Sequence, residues 1–547
     1  MVFSELPNEI IEQILLELDP LTLARCRVTS KRLHELIDGS VPLQIVLEAG
    51  IDGLLVVGPH NRHLRYPFSS AKHLLDEIIY IREAIRKFMP RSVWRIPYET
   101  GPMEVSDGII CSVGAGDRPK TLYFWEMLAP MDEGHNPFET ESNGKRYTHK
   151  IRDTDAGADD IVFSTGSDLV VLLERTAATD TGRIKYRLHF RAISTGGPHP
   201  EARLSYVEYT SPLSPEFLSE TWFTQLYDDM VALLLVQDVQ AVQGGVTVWN
   251  WKSGEVVVPC QAAIASMFLS QDQLLLVADP KADPPTFSNF EKMKTVVYSI
   301  SKGRITHNIK LPALILRHPF LFTCPRQTLI QIPSAQVAGK FAPDPSLDIF
   351  ALRFVSSHNS PCIAVISTQR LLDACNAAFV DQEEYPIDVD WNLWGPKGSR
   401  WFPPNSLSSV SERGIHGARM IAFTRPNAFD ADDHIGDWVS NEEGDLNTPV
   451  ILDFNPRPIL QGATNCDFPL CRNTVIRDMW SWTILERGKE VVIESGLPFR
   501  AFVNKKEWPS LHVYLHSTAL VSLMDESNDI HSFLQHPSMW NTGGTTE

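Results

Sequence analysis

A recurring pair of segments constrains this chain more than any other feature. The first member is an Asp-led, almost wholly apolar run: Asp168-Leu169-Val170-Val171-Leu172-Leu173, Asp229-Met230-Val231-Ala232-Leu233-Leu234-Leu235, Asp272-Gln273-Leu274-Leu275-Leu276-Val277 and Asp348-Ile349-Phe350-Ala351-Leu352. After a loop comes the second member, read as an alternating, mixed run rich in aromatics, with candidates Leu188-His189-Phe190, Val246-Thr247-Val248-Trp249, Val296-Val297-Tyr298 and Ile363-Ala364-Val365-Ile366. Leu122-Tyr123-Phe124-Trp125, Val450-Ile451-Leu452 and His512-Val513-Tyr514-Leu515 are further runs of the second kind. Such short runs bounded by turn residues read as strands. A purely apolar strand must be covered on both faces, whereas a mixed one tolerates water on one side.

Repeated pairing of this sort predicts a large all-β, β-propeller-like domain over residues 91–547. The apolar strands would lie inside, and the mixed ones would close each blade. Lys252-Ser253-Gly254-Glu255 reads as a hairpin turn between two such strands. The repeat is wider than the roughly 40–45 residues of a compact propeller unit, so long loops are expected. Their Pro, Gly, Ser and Asp content places them at 280–289, 391–411 and 430–445. A pair of β-sandwiches is the rival architecture.

Before residue 90 the pattern is helical. Pro7 suits a first helical position, Glu9 and Glu12 favour the positive helix start, and Ile10, Ile14, Leu15 and Leu18 recur at helical spacing. Asp19-Pro20 restarts the chain as a cap followed by proline, and Leu21, Leu23 and Cys26 mark a second helix. Thr29 or Ser30 caps a third, which carries Leu33, Leu36 and Ile37 and ends at Gly39. A longer helix is expected over 71–89, with Leu74, Leu75, Ile78, Ile81, Ile85 and Phe88 on one face and Glu83 and Lys87 spaced to pair. The fold class is therefore α+β multidomain: a small helical module over 1–40, a helical linker over 41–90, and the β domain.

The sequence from Leu6-Pro7 through Ile10, Ile14, Leu15 and Leu18-Asp19-Pro20 to Val28-Thr29-Ser30-Lys31-Arg32-Leu33 resembles an F-box throughout. It departs at Thr29, where the family favours Val, and at Leu33, where it often has Trp. The resemblance implies docking onto a Skp-type adaptor, and through it a cullin, by Leu6, Pro7, Ile10, Ile14, Leu15, Leu18, Leu21, Leu23, Cys26 and Leu33. Three short helices cannot bury that much apolar surface alone, so a covering surface is expected in any case. Leu43-Gln44-Ile45-Val46-Leu47-Glu48-Ala49-Gly50, Arg82-Glu83-Ala84, Gly197-Pro198-His199-Pro200 and Trp249-Asn250-Trp251-Lys252-Ser253-Gly254-Glu255 resemble large F-box proteins of mushroom-type fungi. That resemblance implies a propeller-like receptor for an unknown protein substrate, in an SCF-type ubiquitin ligase. Alternatives are an F-box scaffold without ubiquitination, or a propeller-type hydrolase or lyase regulated through its F-box.

A net charge of −18 makes nucleic acid and acidic membranes poor partners. Eight dispersed cysteines show no disulfide framework. No apolar run approaches the roughly 18 residues of a membrane span. These features, and a start without a signal-peptide pattern, suggest the cytoplasm or nucleus. No cofactor, metal or catalytic residue is expected. Cys466 and Cys471 lack the further ligands of a zinc site. The acidic stretch Asp430, Asp432, Asp433, His434 and Asp437 fails the calcium-loop spacing at Ile435 and Asn441. His199 between two prolines reads as structural. Arg25, Arg27, Lys31 and Arg32 read as a solvated helix face, and the tryptophan pairs as core.

Overall fold

The computed structural model describes residues 6–56, 71–87, 92–97, 103–106, 109–113, 121–126, 147–151, 158–176, 183–211, 221–238, 243–278, 294–312, 319–323, 341–355, 361–378, 386–402, 407, 409–424, 448–460, 466–467, 471–486, 489–504, 510–515, 519–524 and 529–534.

Four helices open the chain: α1 (Asn8–Leu16), α2 (Pro20–Arg27), α3 (Lys31–Gly39) and α4 (Val41–Ile51). Short polar caps separate them. The Asp19 carboxylate accepts the Leu21 and Thr22 amides, the Ser30 hydroxyl accepts from Leu33, and the Ser40 hydroxyl accepts from Leu43. Ile11, Leu15, Leu23, Ile37, Leu43 and Leu47 form their shared core. At Gly50, α4 passes so close to α2 that a Cβ would stand 2.1 Å from the Pro20 ring. Helix α5 (Ala71–Lys87) follows, with Glu83 pairing Lys87 at 3.3 Å as its spacing predicted. The expected end of that helix at Phe88 and Met89 lies outside the described residues.

The rest is a succession of antiparallel sheets. The first contains Met103–Ser106, Ile109–Val113, Leu122–Glu126 and Tyr147–Ile151; the second contains Asp160–Ser164, Leu169–Thr176, Lys185–Ala192 and Tyr206–Thr210. The third runs Thr221–Tyr227, Met230–Asp238, Gln243–Asn250 and Val256–Phe268. That last, long strand also opens the fourth sheet, with Gln273–Ala278, Lys294–Ser299 and Arg304–Ile309. Ile387–Val389 adds to the fourth sheet's edge in parallel. The fifth contains Pro319–Thr323, Ile349–Val355, Pro361–Ser367 and Ser399–Phe402. In the sixth, Ser409–His416, Arg419–Thr424 and Thr448–Asp453 are followed in space by Phe499–Asn504, then Cys471–Ile476 and Cys466–Asp467. The seventh joins Ser510–Leu515, Ala519–Met524 and Asp529–Leu534 to Ser92–Pro97 from the other end of the β region.

This order is propeller-like. First strands of successive sheets lie side by side in chain order, the first with the second, the second with the third, and so on from the fourth to the seventh. The third and fourth share a strand. Apolar clusters fill the space between neighbours: Phe124 meets Phe163 between the first and second, Phe190 and Trp249 belong to the second and third, and Val297 and Phe350 to the fourth and fifth.

Each Asp-led apolar strand pairs directly with the mixed strand that follows it, at Leu169–Thr176 with Lys185–Ala192 and likewise in the third, fourth and fifth sheets. The mixed strands do not close the sheets, as the sequence suggested. A further strand of weaker apolar signal, such as Tyr206–Thr210 or Arg304–Ile309, takes that position. That flanking strand pairs the backbone edge of the mixed strand, whose apolar side chains Tyr186, Leu188 and Phe190 pack on the neighbouring sheet. Of the expected loops, 280–289 and 430–445 lie outside the described residues. The stretch 391–411 is not simply a loop: it contains a helix at Trp391–Gly398 and the strand Ser399–Phe402. Trp391 stacks edge-on against Trp394 and Trp401 at 4.9 and 5.9 Å, and that burial outweighs the breaker residues Gly395 and Pro396.

The leading Asp of each repeat is a clip. Its carbonyl accepts the amide of the residue just after the mixed strand: Ile193 to Asp168, Trp251 to Asp229, Ile300 to Asp272 and Thr368 to Asp348, at 2.8–2.9 Å. In two sheets the carboxylate is also held by a serine turn, Ser194 on Asp168 and Ser301 on Asp272. In the fifth sheet the chain enters a helix at Thr368 instead, and among the described residues no donor reaches the Asp348 carboxylate. Burial, helped by Asp344, pushes that carboxyl up from 3.8 to about 7. The folded protein therefore holds a proton that the unfolded chain releases near pH 4, so this group's contribution to stability is lost as pH rises from about 4 to 7. Asp348→Asn should gain thermal stability over the parent at pH 8 and match it near pH 4. Equal differences at both pH values, in parallel thermal melts, would count against a half-buried, protonated Asp348.

Candidate functional site

The helical module presents an apolar surface that its own core does not use. Helix α1 carries two interleaved pairs at four-residue spacing. Ile11 and Leu15 turn inward, whereas Ile10 and Ile14 stay 42% and 43% exposed. Leu21 is 48% exposed on α2, and Val28 is 83% exposed just after it. Pro7 is exposed as well. Ile10 and Ile14 stand one turn apart on the same face of α1, and exposed large apolar groups that share a face mark a docking surface more readily than scattered ones do.

The ten residues expected to touch a partner thus separate into three kinds. Pro7, Ile10, Ile14 and Leu21 face outward. Leu6, Leu18, Cys26 and Leu33 are half-buried against the helical core. Leu15 and Leu23 are fully inside it and support the surface from beneath. Sequence reasoning missed the exposed Leu16 and Val28, and the buried Ile11. The doubled spacing in Ile10-Ile11 and Ile14-Leu15 was the available signal for Ile11. Thr29 donates its hydroxyl to the Cys26 carbonyl at 2.7 Å, closing the end of α2.

Polar contacts fix the surface's frame. Arg32 donates to the Leu6 carbonyl at 2.7 Å and to Asn8 Oδ1, tying the entry of α1 to α3. Arg27 pairs Asp38 at 2.6 Å and Lys31 approaches Glu35, so much of the expected basic face is neutralised locally. Hydrogen bonds from Thr22 hold the Asp19 carboxyl below its usual range.

Residues 41–90, expected as a helical linker, pack on both neighbours through α4 and α5. Helix α4 gives Leu43 and Leu47 to the helical core, and Ile45 and Ala49 to the other side. There, Leu74, Ile78, Ile81 and Ile85 of α5 meet Ile421, Phe423, Ile451 and Phe502 of the sixth sheet. Arg82 bonds both Asp52 carboxylate oxygens at 3.1 and 2.9 Å and reaches Glu48 at 2.6 Å. From the sheet, Arg419 donates to the Asp52 carbonyl at 3.2 Å and faces Asp453, which Arg500 also bonds. The open carbonyls at the end of α4 are capped from the β body: Asn455 donates to Ile51 and Arg457 to Gly50, both at 2.8 Å. A short ladder of Leu54–Val56 with Phe341–Pro343 completes the joint.

The two later motifs converge as well. His199 stacks edge-on to Trp251 at 4.8 Å, accepts from the Glu201 amide at Nδ1, and meets the Ser167 carbonyl with Nε2. Both ring nitrogens are thus engaged in structure. Gly254 adopts φ +77° in the hairpin turn, where Leu204 would stand 2.7 Å from a Cβ. Among the described residues, no group of three or more His, Cys, Asp or Glu is arranged to hold a metal. Cys466 and Cys471 begin short paired strands, and the acidic stretch 430–437 lies outside the described residues. Also among the described residues, no helix is long and apolar enough to cross a membrane.

Residues 3–44 match the F-box domain family, so the helical module is an F-box domain. No curated protein matches the chain. Similar solved structures include the WD40 domain of Toxoplasma gondii coronin, at 10% identity and TM-score 0.30, covering 80% of this chain and 92% of that one. The Dos1 propeller is similar at 9% identity and TM-score 0.35, covering 84% and 98%. The propeller domain of the Trilobed protease from Pyrococcus furiosus gives 8% and 0.27, covering 67% and 92%. The sheet order described above, not these distant likenesses, carries the fold.

Proposed function

We propose that the chain is a substrate-receptor subunit of an SCF-type ubiquitin ligase, working in the cytoplasm or nucleus. The outward apolar surface of α1 and α2 docks a Skp-type adaptor and, through it, a cullin. The β body recruits a protein target. One observation carries this reading: the helical core is already closed, yet Ile10, Ile14, Leu21 and Val28 remain in water. Each forgoes, until covered, a share of the roughly 1.5–3 kcal/mol that full burial of such a side chain contributes. The chain does no bond chemistry in this role. It holds a target lysine near a charged ubiquitin carrier, which makes an intermolecular step effectively intramolecular.

The test compares cells carrying the parent chain with cells carrying Ile10→Asp/Ile14→Asp. Proteins captured by both forms are followed after translation is stopped. A genuine target should live longer beside the variant. If no captured protein changes its half-life, the ligase role fails and a scaffold role replaces it. Point changes suit this better than removing residues 1–40, which would bare Leu43 and Leu47.

A further inference from the structure

We infer that adaptor docking and closure of the β ring form one cooperative equilibrium, coupled through α4 and α5. The adaptor half of this statement rests on the proposed function; the coupling itself does not. Between the earlier sheets, each buried face meets the next sheet. The sixth sheet differs. Met420, Ala422, Val450 and Leu452 pack toward the fifth sheet, but the alternate residues Ile421, Phe423 and Ile451 pack on α4 and α5. The helices cover these residues, while the first strands of the sixth sheet lie beside Ser510–Leu515 of the seventh. Four residues after α5, the chain begins Ser92–Pro97, the strand that pairs with Asp529–Leu534 and joins the two ends of the ring. The opposite side of α4 belongs to the F-box core. Loosening α4 therefore loosens together the docking module and the α5 segment that leads into the closing strand, and anything that binds the folded module stabilises both by mass action.

Hydrogen exchange on the full chain tests this. Peptides covering α1–α4 and peptides covering 92–97 and 529–534 are compared in the parent, in Ile78→Ala, and in the parent with a purified Skp-type adaptor. Coupling predicts that Ile78→Ala lowers protection in both regions in parallel, by at least about tenfold. Adaptor at about a hundred times its Kd should raise protection in both, by up to about a hundredfold. A fall confined to one region in Ile78→Ala, or a rise confined to α1–α3 with bound adaptor, overturns the coupling. If the adaptor does not bind at all, the proposed function fails, and Ile78→Ala still decides the inference.

Discussion

Ile10→Asp with Ile14→Asp should abolish co-purification of a Skp-type adaptor while leaving the chain folded. With 42% and 43% of their surface still exposed, each side chain can contribute roughly 0.6–1.3 kcal/mol when an adaptor covers it, so losing both weakens binding by about ten- to sixtyfold. Carboxylates forced beneath a partner add a desolvation penalty. Folding should be nearly indifferent, because both residues already stand in water and such surface changes usually stay within about 0.5 kcal/mol. The neighbouring change Ile11→Asp is the contrast. Ile11 is fully buried, so the charge would disrupt the helical core itself. Undiminished adaptor capture by the double variant would remove the surface from consideration as the docking face.

Asp453→Ala should be the most damaging single change at the joint. Asp453 is fully buried, bonds Arg500, faces Arg419 at 3.7 Å, and accepts the Asn455 amide at 3.1 Å. Removing it strands the buried Arg500 guanidinium and leaves Arg419 only Asp52, at 3.9 Å, as a carboxylate partner, and breaking a buried ion pair from one side costs about 3–5 kcal/mol. The joint should suffer with it, since Arg419 also holds the Asp52 carbonyl and Asn455 caps α4. Denaturant melts of Asp453→Ala, Asp453→Leu/Arg500→Met and the parent make the comparison. The paired apolar replacement should recover much of the loss, because it leaves Arg500 no buried charge to strand. A melt of Asp453→Ala matching the parent would show that the pair contributes little.

The legible parts of this fold were local. Asp-led apolar strands and their mixed partners could be read directly, because each pair is a neighbouring hairpin. Caps at Asp19 and Ser30 were legible for the same reason. What escaped depends on residues far along the chain. Whether Ile10 or Ile11 turns inward is decided by α4, some thirty residues later. The strand Val256–Phe268 serves two sheets through register shifts that alternation does not reveal. Thr448–Asp453 pairs with Phe499–Asn504 across an inserted hairpin, Trp480–Glu486 with Lys489–Ser495. The helix at Trp391–Gly398 was hidden by Gly and Pro that its stacked indoles override. In the candidate site, the motif named the right module, but only packing separates Ile10 and Ile14 on the surface from Leu15 and Leu23 inside.

The capping of α4 by Asn455 has a consequence for biosynthesis. Donor and acceptor are 404 residues apart. At about 5–20 residues per second, a ribosome needs roughly 20–80 s to deliver the cap after the helix has emerged. Through that interval the F-box can assemble its own core and α5 can pack on Ile45 and Ala49, yet the residues of α4 and α5 that meet the sixth sheet have nothing to rest on. A nascent chain of this protein thus leaves that helical face uncovered until the sixth sheet arrives. An adaptor that engaged the module during translation would be holding a receptor whose target-binding half did not yet exist.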